Sequence, residues 1–414
     1  MLDPLAQVRR GFGRLLDMAA ERISERVLNR ALLERQFLLA RTGRGPLEVI
    51  RRLVAVQAQE PNWAFVGLWT RIDGFRQAAL TALLEDGQVV RSGLLRSTQH
   101  LAASADFRRL RPLLQPVLDR TASTPHFARN RAGLGTEELL ASGREVLAGG
   151  TVTRKELARR LAERHPGRDG KLLAGEVELR VPLVHGPATG GWGAWGNRSA
   201  VSVTPAEPQG RPMTVEELIR RYLAGFGPAG VRDVQAWCGL TRLSEVVDRM
   251  RGELRGYLDA EGKELFDLAD AELPDADCPA PVRLLPAFDN ALLGHADRTR
   301  IISDQDRSAV MPGQARVRPT FLVDGRVHGT WALRDGTVEV NPFRPLGADD
   351  QASLEAEADR LLSFTGDSGG TGPVPPHVPG QPIGDRGQVV GSSGSPAGTS
   401  PATTADASVS PPGW

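Results

Sequence analysis

Residues 153–164, TRKELARRLAER, followed by 184–203, VHGPATGGWGAWGNRSAVSV, set the plan of this chain. Leu157 and Leu161 recur at helical spacing behind Thr153 and Glu156, a pair that caps a helix start by satisfying its orphan N–H groups. The glycines of the second stretch supply a tight turn between two strand-like ends. Trp192 and Trp195 offer there either a flat surface for a nucleic-acid base or a plug that seals the domain. With the preceding run 137–149, EELLASGREVLAG, the order is helix, turn, helix, β-hairpin, which is the plan of a winged helix.

The same plan recurs on both sides. Upstream lie VLNRALLERQFLLA (27–40), PLEVIRRLVAVQ (46–57) with Pro46 in the first turn, QAALTALLED (77–86) and the strand-like QVVRSGLLRSTQHLAAS (88–104). Downstream lie VEELIRRYLAGFG (215–227) behind Thr214 and Glu217, VRDVQAWCGL (231–240), LSEVVDRMRGEL (243–254) and a hairpin, LRGYLDAEGKELFDLA (254–269), turning near Glu261 and Gly262. After Pro281 come short strands, VRLLPAF, PTFLVDGRVHGTWAL and TVEVNPF, with turns at Asp324-Gly325 and Asp335-Gly336, read as a small β-barrel. A closing helix, DDQASLEAEADRLLSF, presents Leu354, Leu361, Leu362 and Phe364.

The expected fold is α+β, three tandem winged-helix units plus a C-terminal β-barrel in a C shape. Its divisions are a helical N-terminal extension (1–24), winged helices over 25–125, 130–206 and 212–275, the barrel with its closing helix over 281–365, and a tail over 366–414. That tail is so rich in Gly, Pro, Ser and Thr that disorder is expected of it. A length of 414 residues agrees with several small units better than with one core.

Composition excludes more than it assigns. With 40% hydrophobic and 24% charged residues the body reads as globular, and no run approaches the roughly 18 to 20 apolar residues of a membrane span. Charges at Asp3, Arg9, Arg10, Arg14 and Asp17 break up any signal-peptide core, so a cytoplasmic, nucleoid-associated location is expected. Cys238 and Cys278 read as one buried and one loop thiol, without disulfide or metal spacing. The net charge of +1 does not announce a nucleic-acid protein, and the near absence of lysine fits a GC-rich genome as well as phosphate binding. The chain has no P-loop, dinucleotide fingerprint, nucleophile elbow or paired-histidine metal motif; no cofactor and no metal are expected.

Polar clusters inside apolar elements remain. In VAVQAQEPNW, Gln57 and Gln59 are read as ending the second helix of the first unit, with Pro61 forcing the exit. Residues two apart on a helix point in nearly opposite directions, so both serve one cleft only if the helix loosens first. Glutamines solvating a helix end are the plainer reading.

Seven runs, VLNRALLERQFLLAR, RLVAVQAQEP, VVRSGLLRSTQHL, GPAGVRDVQAWCGL, LLPAFDNALLGHADRTRI, VDGRVHGTW and VEVNPFRPL, come in the order found in the AlkZ-like, azinomycin-resistance-related winged-helix DNA glycosylases. The chain resembles that family over most of residues 27–364. The resemblance implies a clamp around double-stranded DNA and a catalytic motif of Gln, aliphatic, Gln, here Gln57, Ala58 and Gln59. It implies hydrolysis of the N-glycosidic bond to an alkylated purine, N7-alkylated and extending to bulky or crosslinked adducts.

Arg96, Thr98 and His100 in the first wing are candidates for DNA contact, a hydrogen-bonded hairpin being the plainer reading. Relatives tend to read Arg-Gly-Thr there, with an apolar residue before His and a proline soon after. Ser97, Gln99 and the run Ala102, Ala103, Ser104 depart from that pattern. Asp289, Asn290, His295, Arg298 and Arg300 form a second candidate DNA-binding cluster, against a polar network pinning the barrel to the third unit. Glu60 is a candidate base beside the motif. The leading expectation is a monomeric, monofunctional glycosylase. A non-catalytic DNA-binding protein, regulatory or architectural, and a protein-interaction module stand beside it.

Overall fold

In the computed structural model the described residues are 21–194, 202–206, 209–313, 315–334 and 336–366. The expected tail (366–414) lies outside them except for Gly366, as do residues 1–20 of the N-terminal extension, Trp195 and Asp335. The end of that extension is a strand rather than a helix: β1 (Glu21–Arg22) runs parallel to a strand of the third helical group.

Chain order then gives α1 (Glu25–Arg35), α2 (Pro46–Arg52), β2 (Val56–Gln57), α3 (Pro61–Trp69), α4 (Gln77–Glu85), β3 (Val89–Gly93) and β4 (Gln99–Ala103). Ser24 caps α1 by accepting from the Val27 N–H at 3.3 Å. Pro61, expected to end a helix, starts one. Its missing N–H costs nothing in a first turn, and PNWAFVGLW is apolar enough to be buried over nearly its whole surface.

After α5 (Ser104–Ala122) and α6 (Pro125–Asn130) come α7 (Thr136–Leu147), β5 (Val152–Thr153), α8 (Arg154–Arg164), α9 (Gly170–Arg180), β6 (Leu183–His185) and β7 (Ser202–Pro205). Thr153 caps α8 as its sequence predicts, accepting from the Glu156 N–H at 3.1 Å. The hairpins of the two groups merge into one six-stranded sheet, β2-β4-β3-β6-β7-β5, joined where Arg91 of β3 faces His185 of β6. Trp192 meets Phe65 and Phe364 edge-on at 5.7 and 5.4 Å, a sealing role.

The third group is α10 (Val215–Phe226), α11 (Val231–Cys238), α12 (Ser244–Met250), β8 (Leu254–Leu258) and β9 (Glu264–Leu268). Thr214 and Glu217 form a full capping box on α10, and Gly262 takes the left-handed turn position at φ 79°. Then follow β10 (Arg283–Leu285), α13 (Asn290–Leu293), α14 (Asp304–Val310), β11 (Thr320–Val323), β12 (Arg326–Arg334), β13 (Thr337–Pro342) and α15 (Ala348–Gly366).

The expected barrel is not closed. Among the described residues these strands form an open antiparallel sheet, β10-β11-β12-β13, in which the three-residue β10 never pairs with β13. Helix α15 covers it through Leu354, Leu361 and Phe364.

One apolar cluster holds Leu32, Leu114, Tyr222, Trp237, Leu285, Leu292 and Ile301, so the first group, the third group and the C-terminal sheet share a core. The second group has its own, around Leu139, Leu157, Leu173 and Val177. No helix among the described residues is long and apolar enough to cross a membrane.

Candidate active site

The glutamine segment is not helical. Helix α2 stops at Arg52, Val54 takes a left-handed turn at φ 66°, and Val56–Gln57 becomes an edge strand. Strand β2 pairs with β4, Gln57 opposite His100, and the Ala58 N–H donates to the Gln99 carbonyl at 2.8 Å. In extended chain, residues two apart project to the same side. The helical obstacle to Gln57 and Gln59 serving one cleft is thus absent, with β2 ending at Gln57 and Gln59 following in a bend.

Donors hold both carboxamides. Arg96 Nη2 donates to Gln57 Oε1 at 3.1 Å, and the Gln99 N–H donates to Gln59 Oε1 at 3.2 Å. The backbone between them is clamped by Arg91, whose Nε donates to the Ala58 carbonyl at 2.8 Å and Nη2 to the Gln59 carbonyl at 3.1 Å. Arg91 Nη1 reaches His185 Nδ1 at 2.9 Å; a guanidinium only donates, so this nitrogen is the bare one. His185 Nε2 then faces Glu178 Oε2 at 3.7 Å, and Glu178 also binds Arg154. Burial pushes the His185 pKa down despite Glu178. Burial pushes the Glu178 carboxyl up, but His185 and Arg154 outweigh it and hold it below its ordinary value. The clamp is thus a neutral imidazole between a cation and a carboxylate.

A narrow cleft enclosing about 10 Å³, room for about one water molecule, opens beside Gln57, lined also by Trp63 and Arg71 and by the loop from Pro286 to Asn290. Trp63 meets Trp331 edge-on at 5.7 Å and donates to Glu60 Oε2 at 2.8 Å, so the candidate base has its carboxylate engaged. The far wall is pinned by Asp289, which accepts from both terminal nitrogens of Arg71 at 2.8 Å, and by Asn290 Nδ2, which donates to the Ala55 carbonyl at 2.7 Å. Phe288, just before this pair, is held at φ 61°, a conformation that costs a non-glycine residue about 1–2 kcal/mol.

Most of the expected DNA-contact residues are committed inside the protein. Thr98 Oγ1 donates to the Leu95 carbonyl, and Arg96 Nη1 to that of Trp237. His100 is 1% exposed, with Nδ1 on the Thr98 carbonyl at 2.8 Å. His295, equally buried, places Nε2 on the Phe226 carbonyl at 3.0 Å. Arg300 donates to the Pro228 carbonyl, and Arg298 reaches Met311 Sδ at 3.4 Å. Within the second cluster, Asp289 and Asn290 are thus tied to Arg71 and Ala55 of the first group, and His295 and Arg300 to Phe226 and Pro228 of the third. Arg71, Arg91 and Trp63 are site residues that the sequence reading does not single out. The one available signal was Arg91, a charge inside the strand run VVRSG.

Burial first, then the Arg96 charge, pushes the His100 imidazole down to about 3; burial, then Arg300, does the same to His295, which lies near Asp233. Both rings stay neutral when folded, whereas the unfolded chain takes up protons below its ordinary value of about 6.5. The stability they confer is complete above that value and is lost as pH falls toward 3. From these two rings we expect a loss of about 2 kcal/mol in unfolding free energy between about pH 6 and pH 5. Denaturant titrations of wild type and His295→Gln check this: the variant's slope against pH should be shallower by about one proton, and equal slopes contradict the assignment.

No group of three His, Cys, Asp or Glu able to hold a metal occurs among the described residues. The sequence profile of the family described as DNA glycosylase AlkZ-like matches residues 50–364. An interstrand DNA cross-link repair glycosylase of Streptomyces sahachiroi is 28% identical over 367 residues, covering 81% of this chain and 94% of its own length. The solved structure of Streptomyces sahachiroi DNA glycosylase AlkZ shares the α+β fold with a TM-score of 0.70 at 24% identity, covering 83% of this chain and 97% of that one. With the profile match running through the glutamine segment, the cleft and the C-terminal sheet, the chain belongs to the AlkZ-like family of DNA glycosylases, enzymes that hydrolyse N-glycosyl bonds.

Proposed function

We propose that this protein excises N7-alkylated purines, including bulky or crosslinked adducts, from double-stranded DNA, with Gln57 and Gln59 as its catalytic residues. The observation that supports the reading is the pair of carboxamides held by donors on a non-helical segment, Gln57 at the end of β2 lining the cleft and Gln59 two residues on. Three winged-helix units, over 25–125, 130–206 and 212–275, and the sheet over 281–365 form the DNA-holding frame, working as a monomer where the cell keeps its DNA.

Carboxamides do not titrate near neutral pH, so neither glutamine removes a proton as a conventional base. An N7-alkylpurine already carries a positive charge. As the C1′–N9 bond breaks, its electron pair neutralises the base. Water then bonds to C1′ and releases a proton to solvent, leaving an abasic site. What remains for the protein is to position water and stabilise an oxocarbenium-like sugar.

The test is release of N7-methylguanine from a defined duplex. Wild type should excise it, and Gln57→Ala and Gln59→Ala should each lower the single-turnover rate about 10²–10³-fold. Salt-sensitive duplex binding without release of any alkylpurine favours a non-catalytic DNA-binding protein and makes the glutamines structural.

A further inference from the structure

Arg96 sits at the tip of the β3–β4 hairpin, where sequence alone suggests a phosphate contact. Its surroundings point to a different role. We infer that Arg96 is a positioning residue for Gln57, tying that carboxamide to the third helical group. This rests on the catalytic reading of Gln57 given above.

Three observations carry the inference. One guanidinium spans two acceptors that come from separate parts of the chain, Gln57 Oε1 at 3.1 Å through Nη2 and the Trp237 carbonyl, near the end of α11, at 2.5 Å through Nη1. Because a guanidinium has no acceptor, the atom facing it must be the carboxamide oxygen, so the orientation of Gln57 is fixed by chemistry. Its N–H edge is then left without a hydrogen-bond partner among the described residues, and Gln57 lines the cleft.

The backbone is built to hold this reach. Arg96 and Ser97 both adopt left-handed conformations, φ 52° and 62°, each unfavourable by about 1–2 kcal/mol for an L-residue. Such strain persists only where surroundings over-determine it. Here Ser97 Oγ accepts from Thr121 Oγ1 at 2.8 Å, and Gly239, itself left-handed at φ 84°, comes so near that a Cβ there would lie 3.5 Å from the Arg96 Cα. No carboxylate pairs with Arg96 among the described residues. Burial, with Arg298 adding, lowers its pKa to about 10, so it remains a cation at neutral pH and polarises the carboxamide it holds.

Single-turnover excision of N7-methylguanine and duplex affinity against salt, on the full chain, separate positioning from phosphate binding. Arg96→Ala should lower the excision rate at saturating protein about 10²-fold, leaving the duplex Kd and its salt slope unchanged. Added to Gln57→Ala, it should cost nothing further. Arg96→Lys keeps the cation but cannot span both acceptors, so it should lose rate to a similar extent; it carries the test if the alanine variant does not fold. A wild-type rate in the folded Arg96 variants, or a salt slope reduced by about one with the rate intact, overturns the inference. A wild type that releases no base, or a fully active Gln57→Ala, overturns the catalytic reading instead.

Discussion

Asp289→Ala is expected to destabilise the protein by about 3–5 kcal/mol, the loss that follows when one partner of a buried ion pair is removed and the other stays behind. Side-chain exposure is 2% for Arg71 and 1% for Asp289, so no solvent is available to replace the carboxylate. Arg71 would keep only the Gly67 carbonyl and Gln36 Oε1 as acceptors, and its Nε already lacks one. The same substitution removes the acceptor for the Ala291 N–H at the start of α13, adding about 1 kcal/mol. Equilibrium denaturation checks the size. A loss under about 1 kcal/mol would show that the pair is already solvated. The double variant Arg71→Met, Asp289→Leu should recover a substantial part, because two apolar side chains leave no uncompensated charge.

Arg91→Met is expected to act on both stability and catalysis. It leaves the carbonyls of Ala58 and Gln59 and the bare nitrogen of His185 without this donor. Each buried acceptor so orphaned costs about 1–3 kcal/mol, and with Gln59 only half-buried a total of about 3 kcal/mol is expected. The motif's backbone then relaxes, and a displacement of about 1 Å at a reacting group lowers a rate on the order of 10²-fold. Single-turnover excision below the variant's unfolding midpoint separates the two effects. A full rate in folded Arg91→Met would show that β2 pairing alone places the glutamines.

What the sequence revealed was local chemistry. The capping pairs Thr153/Glu156 and Thr214/Glu217 and the turns at Gly262 and Asp324-Gly325 depend on residues a few positions apart, and they stand where their patterns put them. The glutamine segment reads as a helix end, yet Val56 and Gln57 become strand through pairing with Leu101 and His100, more than forty residues on. Pro61 fits the start of a helix as well as the end of one, and only the burial of α3 decides. Barrel closure likewise is a matter of long-range register, which short alternating runs do not contain. Asp289 and Arg300 look like surface groups until their partners, Arg71 and the Pro228 carbonyl, are brought to them from distant parts of the chain. Gln57 and Gln59 themselves are legible as a motif; that Arg96 holds the Gln57 carboxamide and Arg91 the backbone between them is not.

The six-stranded sheet ends at both margins in strands of two residues, β2 and β5. Margins this short offer few free ladder groups, and so a poor template for recruiting another polypeptide into a growing sheet. The polar glutamine segment can therefore stand at the rim of a sheet without that rim becoming a nucleus for self-association.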